Sequence, residues 1–327
     1  MTLHAAIDAL ALAGAFVFWA GCGLAAPTAS AAPGGSVRLL VEPDAGPQAV
    51  LNVIAGARQS VWAEMYLLTD GDAIGALAAR AVAGCDVRVL LEPAPYQAEA
   101  ANQTAYARLA AAGADVRWST SRFTYTHAKM LIADHATLAV LTLNLTASGL
   151  GGNREYAAID ADPLDVAAAE TLFAADQLGT ATGRPGGRLV TSPESSRQAI
   201  LALFAGARQT LAIETEELGD ARAVDALLAA RARGVTVTLA WPGPVPGAPA
   251  AFRALADAGA TVRAVDRPAI HGKVIVADGR RLYVGSANLT ATSLDANREV
   301  GLALDDRVLA GTVTAAVAAD AAGGIPP

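Results

Sequence analysis

The chain is written twice. "IAGARQSV" at 54–61 returns as "FAGARQTL" at 204–211, and Gly84-Cys85-Asp86-Val87 returns as Gly234-Val235-Thr236-Val237, each 150 residues later. "AAGADVR" at 111–117 matches "DAGATVR" at 257–263, now 146 residues later. From His127 and His271 onward the offset is 144, and it holds to Glu155 and Glu299. The shrinking offset places about six lost residues in the loops of the second copy. A period this long exceeds that of solenoid repeats and predicts two like globular halves.

Within each half the signals alternate. In the first, strands are predicted near Val37–Val41, Val61–Leu68 and Asp86–Glu92, with helices near Pro47–Gln59 and Ala73–Ala83 between them. A helix Gln97–Ala112, strands Asp115–Trp118, Ala128–Ala133 and Leu138–Thr142, and a helix Pro163–Leu178 follow. Asp162 is placed to cap that last helix, with Pro163 at its first position. Such alternation indicates an α/β fold with a parallel or mixed sheet in each half. The expected domains are a leader at 1–35, a first half at 36–180, a Gly/Thr/Pro-rich linker at 181–187 and a second half at 188–322.

Lysine is the chemical marker. Of 24 basic residues only Lys129 and Lys273 are lysine, and each stands two positions after a histidine, in "THAKMLIAD" and "IHGKVIVAD". An ammonium is a compact point charge and a guanidinium a planar fork, so these are positions where an amine is required. On a strand His127 and Lys129 share a face, as do His271 and Lys273, which makes each a chemical pair. Asp134 and Asp278 fall at turns just past the buried runs and read as turn-fixing groups. Asn144 and Asn288 lie 17 residues after their histidines, with hydroxyls two residues earlier at Thr142 and Ser286. Amide and hydroxyl donors converging on one point suit a phosphoryl oxygen, so Thr142 and Ser286 are candidate phosphate contacts. Glu155 and Glu299 follow their histidines by 28 residues. A carboxylate on one imidazole nitrogen sets the tautomer and raises the basicity of the other.

These residues, taken together, resemble the phospholipase D superfamily. Two copies of His-x-Lys-x4-Asp, each followed by a hydroxyl-x-Asn and a Glu, carry the resemblance over about Val37 to Ala319. One departure is "LTLN", where Leu141 replaces the usual glycine. The resemblance implies two homologous α/β/α sandwich halves with mixed sheets, related by a pseudo-twofold, with one active site at their interface. It further implies that His127 attacks phosphorus to form a phosphohistidine, and that His271 protonates the leaving alcohol and then activates water. In that scheme Lys129, Lys273, Asn144 and Asn288 hold the non-bridging oxygens, and Glu155 and Glu299 orient the imidazoles. No cofactor or metal enters it, and the sequence holds no Cys/His ligand cluster.

Among functions of that superfamily, hydrolysis of phospholipid head groups is expected, with transphosphatidylation as a companion. "RFTY" at 122–125 and the Pro-rich "WPGPVPGAPA" at 241–250 offer apolar groups to a lipid surface. An exported nuclease is the alternative. The net charge of −7 argues against it, while Arg117, Arg122, Arg154, Arg263, Arg267 and Arg298 would form its phosphate track. A non-catalytic lipid-binding member is the third reading. No obligate protein partner is implied, and two internal halves make a monomer sufficient.

The uncharged run Ala9–Ala26, followed by Ala29-Ser30-Ala31, resembles an export signal. Lipid attachment at Cys22 and retention as an N-terminal membrane anchor are the alternatives. Cys85 then stands alone and reads as a small apolar residue.

Overall fold

The computed structural model describes residues 37–243 and 249–327. The expected leader, Cys22 and half of the Pro-rich loop lie outside them. In the first half the elements are β1 (Val37–Glu42), α1 (Gln48–Ala55), β2 (Ser60–Met65), α2 (Gly71–Val82), β3 (Asp86–Leu91), α3 (Gln103–Ala111) and β4 (Asp115–Trp118). Then come β5 (Lys129–Ala133), β6 (Thr137–Leu141), α4 (Ala147–Gly151), β7 (Asn153–Asp160) and α5 (Pro163–Leu178). The second half opens with β8 (Leu189–Ser192), α6 (Ser196–Gly206), β9 (Thr210–Glu214), α7 (Ala221–Ala232), β10 (Thr236–Pro242), α8 (Ala250–Asp257) and β11 (Thr261–Val265). It continues with β12 (Ala269–Ile270), β13 (Val274–Ala277), β14 (Arg281–Gly285), α9 (Ala291–Asp295), β15 (Glu299–Asp305) and α10 (Arg307–Gly323).

Each half is a mixed sheet. The first runs β1-β7-β6-β5-β2-β3-β4 and the second, in equivalent order, β8-β15-β14-β13-β9-β10-β11. Strands β2, β3 and β4 are parallel, because helical crossovers connect them, whereas β5, β6 and β7 follow one another antiparallel, joined by a short turn and then by the segment that carries α4. Two differences from the sequence reading appear. Residues 97–102 are irregular rather than helical, since Gln97 has a positive φ of 56°. Strand β7 was not expected; its apolar run follows "GGNRE", a turn-rich stretch that masks where the strand begins.

Alternation sorts the side chains. Leu131 and Ala133 of β5 join an outer core with Val50, Ile54, Ile74, Leu77 and Leu109 of α1–α3. Met130 and Ile132, on the opposite face, enter a central core built from both halves. Val274 and Val276 of β13, Phe173 of α5 and Val313 and Val317 of α10 belong to that same core. Strands covered on both faces read as continuous apolar runs, which is why "MLIA" and "VIVA" show no polar alternation.

The motif aspartates fasten the ends of these strands. Asp134 accepts the backbone N–H groups of Arg58, Gln59 and Ser60, and Asp278 those of Arg208, Gln209 and Thr210. Burial works to raise both carboxyls, but the three N–H donors outweigh it and leave them below the usual range. Both residues adopt φ of 54°, the left-handed turn conformation that aspartate tolerates.

The halves are strapped across by backbone. β12 pairs in parallel with the start of β7, matching Ala269 to Asn153 and Ile270 to Arg154. The equivalent strap in the other direction joins Thr126 to Arg298. Two arginines reinforce the straps. Arg154 donates to Asp320 of α10, to Asp44 and to the Glu42 carbonyl. Arg298, fully buried, bonds Asp176 of α5, Glu194 and the Ser192 carbonyl. Neither belongs to a phosphate track: each is consumed in joining its half to the closing helix of the other. Arg117 is likewise tied to Asp115.

Removing one partner of a buried ion network leaves charges without compensation. Arg298→Ala is therefore expected to cost about 3–5 kcal/mol of stability, read by denaturant unfolding. Replacing Arg298 and Asp176 together by Met and Leu is expected to cost clearly less. Equal losses in the two variants would count against the ion network as the strap.

Candidate active site

Each strap delivers a histidine. His127 N donates to the Arg298 carbonyl at 2.9 Å, and His271 N to the Arg154 carbonyl at 3.2 Å. One residue beyond each of those arginines stands a glutamate, so every imidazole meets the carboxylate of the opposite half. His127 Nδ1 lies 2.9 Å from Glu299 Oε2, and His271 Nδ1 lies 2.5 Å from Glu155 Oε1. The swap was not legible in the spacing, which gives Glu155 and Glu299 identical places relative to their own histidines. With Nδ1 held on the carboxylate, Nε2 is the nitrogen that each ring has left for a reacting group. Both imidazoles line one cavity of about 480 Å³ together with Asn144 and Asn288.

The hydroxyls correct an expectation. Thr142 and Ser286 are fully buried and do not face the cavity. Thr142 Oγ1 donates to Glu155 at 2.5 Å and Ser286 Oγ to Glu299 at 2.6 Å, while accepting the Tyr156 and Val300 N–H groups. A hydroxyl just past β6 or β14 meets the neighbouring β7 or β15, so its reach ends at the glutamate that orients the histidine. Asn297 adds a further bond to Glu299 at 3.1 Å.

The lost glycine has a packing reason. A Cβ on Gly285 would meet the Gly301 and Val300 backbone at 2.5 and 2.6 Å and the Tyr283 hydroxyl at 2.7 Å, and one on Gly301 would meet the Tyr283 ring at 2.4 Å. In the first half the equivalent of Tyr283 is Ala139, so the equivalent of Gly285 has room to be Leu141. Tyrosine-with-glycine and alanine-with-leucine are two fillings of one space, and the departure leaves Asn144 at the cavity. The Asn-Leu-Thr triplets also acquire a structural role. Thr146 and Thr290 cap α4 and α9, and Leu145 and Leu289 are buried.

The lysines lie beneath the histidines. Lys129 Nζ donates to the His127 carbonyl at 2.8 Å, and Lys273 Nζ to the His271 carbonyl at 2.6 Å. Burial pushes the Lys129 ammonium down to about 7; Glu299 opposes that push and Lys273 adds to it. Burial also lowers His127, against the pull of Glu299. Glu155 and Glu299 are buried, which raises them, yet the facing histidines and lysines leave both below the ordinary carboxyl range. Such a site stores positive charge under two imidazoles oriented by carboxylates, which suits a phosphoryl group.

Two residues missed in the sequence break the symmetry. Tyr66, just past β2, packs edge-on against His127 with ring centroids 4.5 Å apart. Its repeat equivalent, past β9, is Glu216, whose Oε2 lies 3.0 Å from Lys273 Nζ and 3.4 Å from His271 Nε2. The exchange of Tyr for Glu within "EMYLLTD" and "ETEELGD" was the signal available. Phe123, expected at a lipid surface, instead lies under the Arg298 guanidinium at 4.2 Å. Tyr125 does line the cavity. His135 is away from it, bonded to Glu170 and edge-on to Trp62. Cys85 packs against the first outer core. Among the described residues no group of three or more His, Cys, Asp or Glu is placed to hold a metal ion.

Because Lys129 loses its proton near 7, its attraction for an anion is fully present at lower pH and fades as pH rises through about 7. Dimethyl phosphate, whose single charge is constant, is therefore expected to bind more weakly above neutrality. In Lys129→Arg, which stays charged, most of that fall is expected to vanish. A fall of equal size in both proteins, measured by calorimetry, would assign it to another group.

Comparison with known proteins agrees with this arrangement. The domain family described as "Cardiolipin synthase, PLD-like domain" matches residues 50–177 and 200–320, one match per half. No curated protein sequence matches the chain. A polyphosphate kinase from Porphyromonas gingivalis superposes with a TM-score of 0.68 at 18% identity, over 86% of this chain and 50% of that one. The present chain thus spans half the kinase's length. Phosphatidylserine synthase from Haemophilus influenzae Rd KW20 superposes with a TM-score of 0.65 at 14% identity, over 86% of each chain. The phospholipase D family member Nuc from Salmonella typhimurium is 24% identical over 42% of this chain and 95% of its own, with a TM-score of 0.40. At these identities the structures speak to the fold, while the paired family match covers most of the sequence. The chain belongs to the phospholipase D superfamily.

Proposed function

We propose that the protein hydrolyses phospholipid head groups through a covalent phosphohistidine, with transfer to alcohols as a side reaction. The observation that carries this reading is the pair of imidazoles in one cavity, each with Nδ1 on the other half's glutamate. In the first step His127 Nε2 attacks phosphorus and the bond to the head-group oxygen breaks; His271 supplies the proton that oxygen takes up. In the second step His271 receives a proton from water, the resulting hydroxide attacks phosphorus, and the P–N bond breaks to return His127. Lys129 and Lys273, with Asn144 and Asn288, offset the charge that grows on the non-bridging oxygens.

Two features favour lipid over nucleic acid. The residues lining the cavity include Glu216 and Glu217 and, among the described residues, no arginine, and its two lysines lie beneath the histidines. Polyanionic strands are held by tracks of basic side chains, and two arginines once assigned to such a track are buried in the straps. Next to the cavity, and sharing Glu216, Glu217 and Thr290 with it, lies an apolar hollow of about 320 Å³ lined by Leu218, Trp241, Pro242, Pro249 and Phe252. It suits the apolar part of a lipid beside the phosphate. Export to the cell envelope, by the leader pattern of the sequence, fits contact with lipid.

Incubating the leaderless protein with mixed phospholipid vesicles in EDTA is expected to yield phosphatidic acid. His127→Ala is expected to lower the yield by roughly a thousandfold or more. Mass spectrometry of the lipids reads both. Absence of any lipid product, with cleavage of DNA or RNA instead, would replace this reading by the nuclease one. The order of the histidines has its own test. In His271→Ala the second step stalls, and label from a phosphorus-labelled lipid is expected to remain on His127. Label recovered on His271 of the unmutated protein would reverse the two roles.

A further inference from the structure

The cavity is symmetric in its histidines and asparagines, with a lysine beneath each histidine, and asymmetric in charge. At the position where the first half has Tyr66, the second has Glu216. A single oxygen of that carboxylate, Oε2, is 3.0 Å from Lys273 Nζ, 3.3 Å from Asn288 Nδ2 and 3.4 Å from His271 Nε2. These are the three groups of the second half that a phosphoryl oxygen would use. Tyr66 places no charge in the equivalent space; its ring packs on His127 and lies 5.2 Å from Lys129 Nζ.

We propose that Glu216 is a specificity-determining residue that fills one of the two anion positions and tunes the site to phosphates bearing a single negative charge. The argument is one of charge matching. The site holds two ammonium groups, and Glu216 is in contact with one of them. What remains matches a phosphodiester, which carries one negative charge. A phosphomonoester carries about −1.5 to −2 near neutral pH, and its second charge meets a carboxylate where a cation would otherwise receive it. Like charges a few ångströms apart and partly buried repel strongly, and Glu216 is about two-thirds covered, its side chain 33% exposed. The same device would speed departure of the phosphomonoester product of diester hydrolysis.

The inference rests on reading the cavity as a phosphoryl site, but its test requires no turnover. Binding of inorganic phosphate and of dimethyl phosphate is measured by calorimetry at pH 7, where Lys129 keeps part of its charge and inorganic phosphate carries part of its second, for the unmutated protein, Glu216→Gln and Glu217→Gln. Glu217 lines the same cavity, so its variant shows what loss of a nearby charge does without vacating the Lys273 contact. In Glu216→Gln the affinity for inorganic phosphate is expected to rise tenfold or more, with a much smaller gain for dimethyl phosphate. Glu217→Gln is expected to shift neither ratio appreciably. Equal gains for the two ligands in Glu216→Gln, or no gain, would overturn the proposal. If the glutamine variant does not fold, Glu216→Ser serves with the same expected selectivity change. Lipids left intact by the unmutated protein, with the selectivity change present, would remove the lipid reading and leave this one standing. Lipid hydrolysis with no selectivity change would do the reverse.

Discussion

The site depends on a backbone exchange. The segment before each histidine pairs with the Asn-Arg-Glu segment of the other half, through His127 N to Arg298 O and His271 N to Arg154 O. These bonds set the position of the histidine, and the next residue along, Glu299 or Glu155, then lies at Nδ1. Neither half supplies the carboxylate that holds its own motif histidine. An isolated half would present a histidine without its orienting partner, so duplication here is a structural requirement of the chemistry.

Around this exchange the protein accepts a dense set of buried charges. Glu155, Glu299, Lys129, Arg298 and the nearly buried Arg154 and Lys273 all sit in the middle of the molecule. Glu64 and Glu214, at equivalent places on β2 and β9, are fully buried too, and burial pushes both well above the usual carboxyl range. Asp176 adds to that rise at Glu64 and Asp320 at Glu214. Ion pairs in such surroundings bring little net stability compared with apolar packing, since desolvation offsets attraction. Their return is placement: each arginine fixes the closing helix of one half against the strap of the other. The apolar central core, shared by both sheets, supplies the cohesion that lets the charges stay.

How far the sequence could be read follows from which signals are local. The repeat, the alternation of elements, the cap at Asp162 and the turn role of Asp134 and Asp278 depend on residues close in the chain, and each was visible. The motif histidines and lysines stood out because lysine is so rare. What escaped were relations between distant segments. Thr142 and Ser286 looked like phosphate ligands because hydroxyls beside an asparagine suit that task, yet the neighbouring strand directs them to the glutamates. Leu141 looked like a flaw in the motif until Ala139 was seen opposite the space that Tyr283 fills in the other half. Arg154 and Arg298 looked like surface cations, since nothing local to "NRE" reveals partners more than a hundred residues away.

By itself the sequence determined that there are two halves, that both carry the same chemical frame, and that an amine must follow each histidine. These are properties of spacing and composition, and they persist in any conformation. Only the tertiary structure decided which glutamate serves which histidine, because identical spacing in both halves allows either pairing and the straps select the crossed one. It also decided that Glu216 reaches Lys273 while Tyr66 packs on the His127 ring. Two residues at the same repeat position differ in charge, and their meaning appears only when the second lysine is 3.0 Å away.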